Sequence, residues 1–369
     1  MKKKLVKGWK WKRLGEIFIF QNKTGRKAGE GLEQGGYKFF TSSSKQTKFI
    51  NKFDFDGEYL IFATGGQAGI HYCKGKFSSS NDCFIVKVND EVLGMYVYYY
   101  LFSKIYLLER GFMGAGLKHI SKKYIQKIEI NYPINKNTQK QIVSILEKAE
   151  RLKERRKEAS EETNKIIQNI FYNLFLREKN KWENGKLFSF IEDFIVPQRD
   201  KPKVFDGNIP WCRIEDFNGI YLSESKSKKF VSEETVRKMH LRVYPINTVL
   251  VSCSADLGKC AIVKKPLVTN QTFIGLVPSK KINPLFLYYY MITKARKLNK
   301  MATGATIKYL SKKNFQELNV NIPPLNLQNK FAEYVEKIEK IKQHQLKSEQ
   351  EINKLFDALM QKAFNGGLI

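Results

Sequence analysis

Residues 118–133 read KHISKKYIQKIEINYP, and residues 308–323 read KYLSKKNFQELNVNIP. The second stretch repeats the first at a spacing of 190 residues. The match extends upstream at that spacing. Tyr98-Tyr99-Tyr100 meets Tyr288-Tyr289-Tyr290, Gly114-Ala115 meets Gly304-Ala305, and Lys118 meets Lys308. Further upstream Trp9 and Leu14 align with Trp182 and Leu187 at a spacing of 173, so the second copy carries 17 extra residues. The chain of 369 residues is one plan written twice.

Past Pro133 and Pro323 each copy turns helical. The spacing there is 189, and Asn137 and Asn326 stand as matching N-caps, with Thr138 and Gln141 fitting a capping box. Neither Pro nor Gly interrupts Thr138–Asn184 or Leu325–Asn365. Residues step by three and four through Ile142, Ile145, Ala149, Leu152, Arg156, Ala159, Thr163, Ile166 and Ile170. Their partners 189 further on are Phe331, Tyr334, Ile338, Ile341, Gln345, Ser348, Ile352, Leu355 and Leu359. That is one heptad seam in one register, weakened in its middle by polar positions. It predicts two helices of about 40 residues, roughly 60 Å each. The first carries the chain away from the first domain, and the second must return along it to bury its own stripe. The expectation is an antiparallel intramolecular coiled coil with a domain at each end, related by a pseudo-twofold axis. The expected fold is α+β: globular domains at 1–137 and 181–326, helices at 138–180 and 327–369.

Charge supplies the functional clue. The chain carries a net +29 and a pI near 9.7. By segment the net charges are +13 for 1–137, +3 for 138–180, +12 for 181–327 and +1 for 328–369. A general lysine bias with a solvated surface would make all four segments basic. Instead the two globular segments hold the excess, as two polyanion-binding modules would. The longest apolar run, Val92–Phe102, is far short of the roughly 18 residues of a membrane span. No apolar stretch follows the basic start MKKKLVKGWKWKR, so no secretory signal is read there. Cys73, Cys83, Cys212, Cys253 and Cys260 form no CxxC, and His71 and His119 lie at no zinc-ligand spacing from a Cys pair. Idle buried thiols and a cytoplasmic setting are expected.

Strand candidates are Tyr59–Ala63, Cys83–Val88 and Lys127–Asn131 in the first domain. The second offers Val249–Ser252, Phe273–Val277 and Leu318–Asn321. Each domain has one clear helix, the second opening with Asn283 as N-cap and Pro284 at the first helical position. Tyrosines at apolar helical spacing in these helices read as core rather than as base-stacking platforms. Contact candidates sit in loops. TSSSKQTK (41–48) brings Ser42, Ser43, Ser44, Lys45, Gln46 and Lys48, group types that meet phosphates and base edges. GGQAG (65–69) offers close backbone approach at Gly66 and a side-chain amide at Gln67. GAGLKH (114–119) ends in Lys118 and His119. The second domain offers Arg213, Lys226, Lys228 and Lys229, then Ser252, Ser254 and Lys259 in SCSADLGK, and Lys308 and Tyr309.

Catalytic constellations are missing. GRKAGEG (25–31) lacks the lysine and hydroxyl that end a phosphate loop, no GxSxG elbow occurs, and Asn321-Ile322-Pro323-Pro324 lacks the aromatic residue of an amino-methyltransferase motif. Asp193 and Asp200-Lys201 are the nearest approach to a metal-nuclease cluster. A duplicated, basic, non-catalytic chain reads as a targeting subunit. A self-contained nuclease using Asp193 and Asp200, and a scaffold binding RNA or an acidic protein, are the alternatives.

Four segments carry a family resemblance: WKRLGEI (11–17), IPWCRIEDFNG (209–219), GAGLKHISKK (114–123) and NIPPLNLQ (321–328) ahead of a long helix. Taken in their order along the chain, which occurs twice, they resemble the specificity subunits of type I restriction–modification systems, over essentially the whole chain. The resemblance implies two target recognition domains, each reading half of a bipartite duplex DNA sequence. It implies helices that space the halves and hold two methyltransferase subunits. S-adenosylmethionine would come with those subunits, and ATP and Mg²⁺ with restriction subunits carrying motor and nuclease. A specificity subunit serving another type of restriction system would share these motifs. The family's usual Glu before the Gln opening each helix is replaced here, in Thr138-Gln139 and Leu327-Gln328.

Overall fold

The structure is a computed structural model that describes residues 6–197, 201–254, 256–302 and 309–369. It divides into two compact units, Met1–Glu158 with Gln345–Ile369, and Ala159–His344. The first unit opens with β1 (Trp9–Arg13), α1 (Leu14–Ile17) and β2 (Phe18–Phe20). It continues through β3 (Tyr37–Phe40), β4 (Lys48–Ile50), β5 (Phe55–Ala63), β6 (Ile70–Ser79) and β7 (Cys83–Val88). Then come α2 (Gly94–Ser103), α3 (Tyr106–Glu109), β8 (Phe112–Met113), β9 (His119–Ile120), α4 (Lys122–Lys127) and β10 (Glu129–Pro133), before the long α5 (Lys136–Phe171). The main sheet has the order β2-β7-β5-β6-β3-β4, with only β3 and β6 parallel. Strand alternation buries both faces. Leu60, Phe62 and Val86 face Tyr96, Tyr99 and Tyr100 of α2, while Ile61 and Ile85 face Phe40, Cys73 and Phe77. The α2 tyrosines are core, and their hydroxyls tie the unit together. Tyr96 donates to the Asn131 carbonyl at 3.1 Å and Tyr99 to Glu150 Oε2 of α5 at 2.6 Å.

The second unit repeats the plan: β11 (Glu183–Lys186), β12 (Ile191–Ile195), β13 (Ile209–Cys212), β14 (Tyr221–Leu222), β15 (Phe230–Val231) and α6 (Glu233–Lys238). After these come β16 (Val249–Ser252), β17 (Cys260–Val263), β18 (Val268–Thr269), β19 (Phe273–Pro278), α7 (Pro284–Met301), α8 (Lys312–Gln316), β20 (Asn319–Ile322) and α9 (Leu325–Asn365). Its sheet order β12-β19-β16-β17 reproduces β2-β7-β5-β6. In both units the opening strand pairs antiparallel with the strand preceding the long helix, β1 with β10 and β11 with β20. The continuous β6 becomes two pieces, β17 and β18, because Pro266 between them has no N–H to give the ladder. All five cysteines are buried and free.

A glutamine knot joins each long helix to its unit. Gln139 is fully buried, accepts from Leu93 N at 2.9 Å, and donates to the carbonyls of Pro133 at 2.8 Å and Glu91 at 3.3 Å. Gln328 does the same with Asn283 N at 2.8 Å and the carbonyls of Pro323 at 2.7 Å and Lys281 at 3.1 Å. The first helix starts earlier than its expected cap. Asn135, not Asn137, accepts from the first turn, taking Asn137 N at 2.8 Å. Asn326 lies inside α9, so neither expected N-cap holds.

The long helices run antiparallel inside each unit. In the first, Lys153 lies 4.8 Å from the Phe356 ring, while Asn131, before α5, donates to the carbonyl of Phe364, beyond Phe356. In the second, Phe171 at the far end of α5 and Phe175 in the turn just beyond it meet Phe331 near the start of α9, at 5.3 and 5.4 Å. The expected seam needs correcting at alternate positions. Ile142, Phe331 and Ile338 are buried, and Ile145, Ala149, Ile170, Ile352 and Leu359 are half-buried. Leu152, Ile166, Tyr334, Ile341 and Leu355 are exposed; Leu146, Ile167, Val335, Phe356 and Met360 are buried instead. The true stripe steps four then three, through half-buried Lys153, Ser160 and Lys342. Such residues bury a stem or a small body and read as surface in an apolar count.

Candidate nucleic-acid interface

In the first unit the candidate loops converge. Loop 41–47 follows β3, loop 64–69 joins β5 to β6, and the tip 114–118 joins β8 to β9. His71 Nε2 lies 2.9 Å from the Ser43 carbonyl, and Gly69 faces the Ser44 backbone, so the first two loops touch. Burial pushes the His71 pKa down, so its ring serves as a neutral donor to Ser43. An antiparallel bridge pairs Gly65 with His119. Gly66 N donates to the Lys118 carbonyl at 3.1 Å, and Ile120 N to the Thr64 carbonyl at 3.0 Å. A Cβ on Gly65 would meet His119 Cε1 at 3.0 Å, a tight contact that only a shift of the His119 ring would relieve. The turn 80–82 closes the group, with Ser80 N donating to Phe40 O and Thr64 N to Asp82 O.

The surface these loops present is cationic and polar. Ser43, Ser44, Lys45, Gln67, Lys118 and His119 are exposed; Ser42, Gln46 and Lys48 are half-buried. Loops 41–48, 64–69 and 113–119 hold no acid, and exposed Asp82 is the carboxylate of the neighbouring turn. Several groups are internally committed. The Gly66 N–H is taken by Lys118, so it cannot serve an outside acceptor, contrary to the expectation from glycine spacing. Gln46 Nε2 donates to the Lys48 carbonyl at 2.5 Å, and Ser43 Oγ accepts from Lys45 N at 3.2 Å. His119 Nδ1 lies 3.2 Å from the Thr64 carbonyl, which leaves Nε2 for the surface.

The second unit builds the same corner with a longer loop. Trp211 and Cys212 pair with Val268 and Thr269 as Phe39 and Phe40 pair with Ser78 and Ser79. β15 pairs with β13 as β4 does with β3. Residues 213–229 are therefore the counterpart of loop 41–47, and Arg213, Lys226, Lys228 and Lys229 all lie in it. Buried Asp216 shapes this loop by accepting from Arg213 N and Lys226 N, each at 2.7 Å. Lys226 Nζ is held by the Glu215 carbonyl at 2.6 Å, and Arg213 Nε lies 3.7 Å from Glu215, so both are partly committed inward. Lys228 is exposed at φ +49°, and Lys229 Nζ sits 5.0 Å from the Phe205 ring and 5.9 Å from Trp211. Lys201 lies 5.9 Å from the same Trp211 ring, a cation–aromatic group that charge counting by loop did not reveal.

Ser254 bridges to Tyr309 as Gly65 does to His119, and Leu310 N donates to the Cys253 carbonyl at 2.8 Å. Tyr309 is exposed and Lys259 is exposed beside Asp256 at 3.9 Å. Ser252 is a correction. It is fully buried and its hydroxyl donates to the Ser254 carbonyl at 2.7 Å, because it sits at an inward strand position. Lys308 lies outside the described residues, as does Asp200 of the nuclease alternative. Asp193 of that alternative pairs with Arg242 at 3.1 Å. Among the described residues no group of three His, Cys, Asp or Glu could hold a metal, and no helix is long and apolar enough to cross a membrane.

Met113, just before the 114–118 tip, and Leu117, within it, are exposed residues the sequence reading missed, at 76% and 70% exposure. Apolar letters beside Lys118 in a glycine-rich turn were the available signal.

The family described as Type I restriction modification DNA specificity domain matches residues 6–162 and again 175–354. A type I specificity subunit of Mycoplasma pneumoniae is 26% identical over 301 residues, covering 80% of this chain and 78% of its own. The specificity subunit of the type I restriction enzyme MjaIX of Methanocaldococcus jannaschii is 30% identical over 140 residues, which is 37% of this chain and 32% of that relative. The solved S subunit of a type I restriction–modification system from M. genitalium shares the fold with a TM-score of 0.62 at 18% identity, over 98% of both chains. A second solved chain, from work on complex assembly and conformational transition of the type I system, gives 0.64 at 18% identity over 99% of this chain and 100% of its own.

Proposed function

The chain belongs to the type I restriction–modification DNA specificity family, and from that premise we propose that it is the non-catalytic reader of an asymmetric bipartite duplex target. Each unit reads one half-site with its cationic loop corner. The long helices set the unread gap and dock two methyltransferase subunits. Those subunits supply S-adenosylmethionine, and restriction subunits supply ATP and Mg²⁺ chemistry. One observation carries the reading: the same loop positions recur on the same strand register in both units, with different residues in each. A shared scaffold bearing unlike contact loops is what two unlike half-sites require.

Methylome sequencing of cells co-expressing the chain with its methyltransferase tests this. The expected result is one motif of two defined halves around a fixed gap. A single contiguous motif, or methylation unchanged when the chain is omitted, overturns it. Inserting about one helical turn into one spacer should lengthen the gap and leave both halves unchanged.

A further inference from the structure

The hairpin that closes the first unit's corner displays two apolar residues, Met113 and Leu117. Its backbone is held on one side by the Gly65–His119 bridge, by Gly66 N on the Lys118 carbonyl and by Ile120 N on the Thr64 carbonyl. His119 Nδ1 adds a side-chain tie at 3.2 Å to the Thr64 carbonyl. At the tip, Gly114 takes a φ of +143°, and a Cβ there would stand 3.1 Å from the Leu117 carbonyl. So the turn is pinned at its base and tight at its tip. From it Met113 and Leu117 project at 76% and 70% exposure, and Lys118 follows directly. Single exposed apolar side chains are ordinary. Two on one anchored turn, beside a lysine, at a corner whose three loops carry no acid, are not.

We infer that this hairpin is a wedge: Leu117, backed by Met113, enters between stacked base pairs of the bound duplex while Lys118 holds the adjacent phosphate. Proteins that kink DNA insert Leu, Met, Ile or Phe between base steps and offset the unstacking with wider contact. The charge of the corner selects the occupant. An apolar protein groove would accept Leu117 and Met113, but Lys118 beside them and Lys45 in the adjoining corner, in loops without carboxylates, favour a polyanion, and the family's DNA specificity domain makes that polyanion duplex DNA. A kink also lets loops 41–47 and 64–69 reach base edges on either side of the opened step. The sequence places Ile307-Lys308 at the corresponding point of the second copy, outside the described residues.

This rests on the duplex-reading proposal and deepens it. The test uses the full chain and a duplex it selects from a randomised pool, with 2-aminopurine placed at successive positions. Binding should raise fluorescence several-fold at one step of one half-site, as a base loses its stacking partner. Leu117→Ala should abolish that rise and weaken binding about tenfold, as loss of a wedge that offsets unstacking would. Leu117→Phe should restore the rise, and Lys118→Ala should keep it while lowering the salt dependence of binding by about one phosphate. If Leu117→Ala binds as tightly as the parent and no position brightens, the wedge is wrong and the duplex reading stands. If the parent chain enriches no duplex from the pool, both fall.

Discussion

Replacing Gln139 tests what fixes the long helix α5 to the first unit. The side chain is fully buried and makes three hydrogen bonds, one accepted from Leu93 N and two donated to the carbonyls of Pro133 and Glu91. Gln139→Leu keeps the volume and removes all three. The stranded Leu93 N–H and the two carbonyls each cost about 1–3 kcal/mol when a buried partner is lost, the carbonyls at the low end. The leucine regains about 1–2 kcal/mol of apolar burial. The net expectation is about 2–4 kcal/mol, or roughly 4–16 °C in midpoint for a unit of this size. Gln139→Glu separates hydrogen bonding from packing. A carboxylate can still accept from Leu93 N but faces two carbonyl oxygens with no donor, so its folded pKa must rise. A raised pKa makes the folded state bind more protons, so this variant should be weakest at neutral pH and recover as pH falls toward 5. Differential scanning calorimetry of the parent and both variants at pH 7 and pH 5 reads this. A shift below about 1 °C for Gln139→Leu, or a Gln139→Glu variant indifferent to pH, would refute the knot.

Phe356→Ala should cost about 3–5 kcal/mol because Phe356 is buried, whereas the exposed neighbour in Leu355→Ala should cost under about 1 kcal/mol in urea unfolding; equal losses would restore the original seam. Lys45→Ala and Lys48→Ala should each lower the slope of log affinity against log salt by about one, measured on any long duplex, since neither lysine has a carboxylate in its loop. His71 has its pKa depressed by burial, so the unfolded chain binds more protons just below the usual histidine value. Stability should fall as pH drops from about 6.5 through the depressed value, and His71→Gln should flatten that slope in pH-dependent melting.

Much of the plan was legible because duplication is a sequence property. The repeated stretch located β10 with α5 and β20 with α9, and the tyrosine runs located α2 and α7. Asn283 and Pro284 gave the start of α7, where Asn283 Oδ1 accepts from Leu285 N at 2.9 Å. What failed did so where identity of letters hides a choice. Ile145-Leu146 and Ile166-Ile167 offer two apolar neighbours each, and packing against the unit's own core selects the second. Ser252 looked like a loop hydroxyl, but β16 runs to that residue and turns it inward. The glutamine knots were invisible to an apolar count, since a buried glutamine is specified by its three partners rather than by its neighbours in sequence.

The extra residues of the second copy show how the plan tolerates change. In the first unit seven residues, 41–47, join β3 to β4; in the second, 213–229 join the equivalent strands and add β14, which pairs with β17. The insertion is stabilised locally, by Asp216 accepting two backbone N–H groups, and it leaves the β12-β19-β16-β17 order untouched. Long surface insertions add little closure cost. A loop of this kind can therefore be rewritten without disturbing the sheet that aims it or the glutamine that fixes the helix behind it. That separation lets the exposed loops vary while the sheet and the helix attachment behind them stay constant.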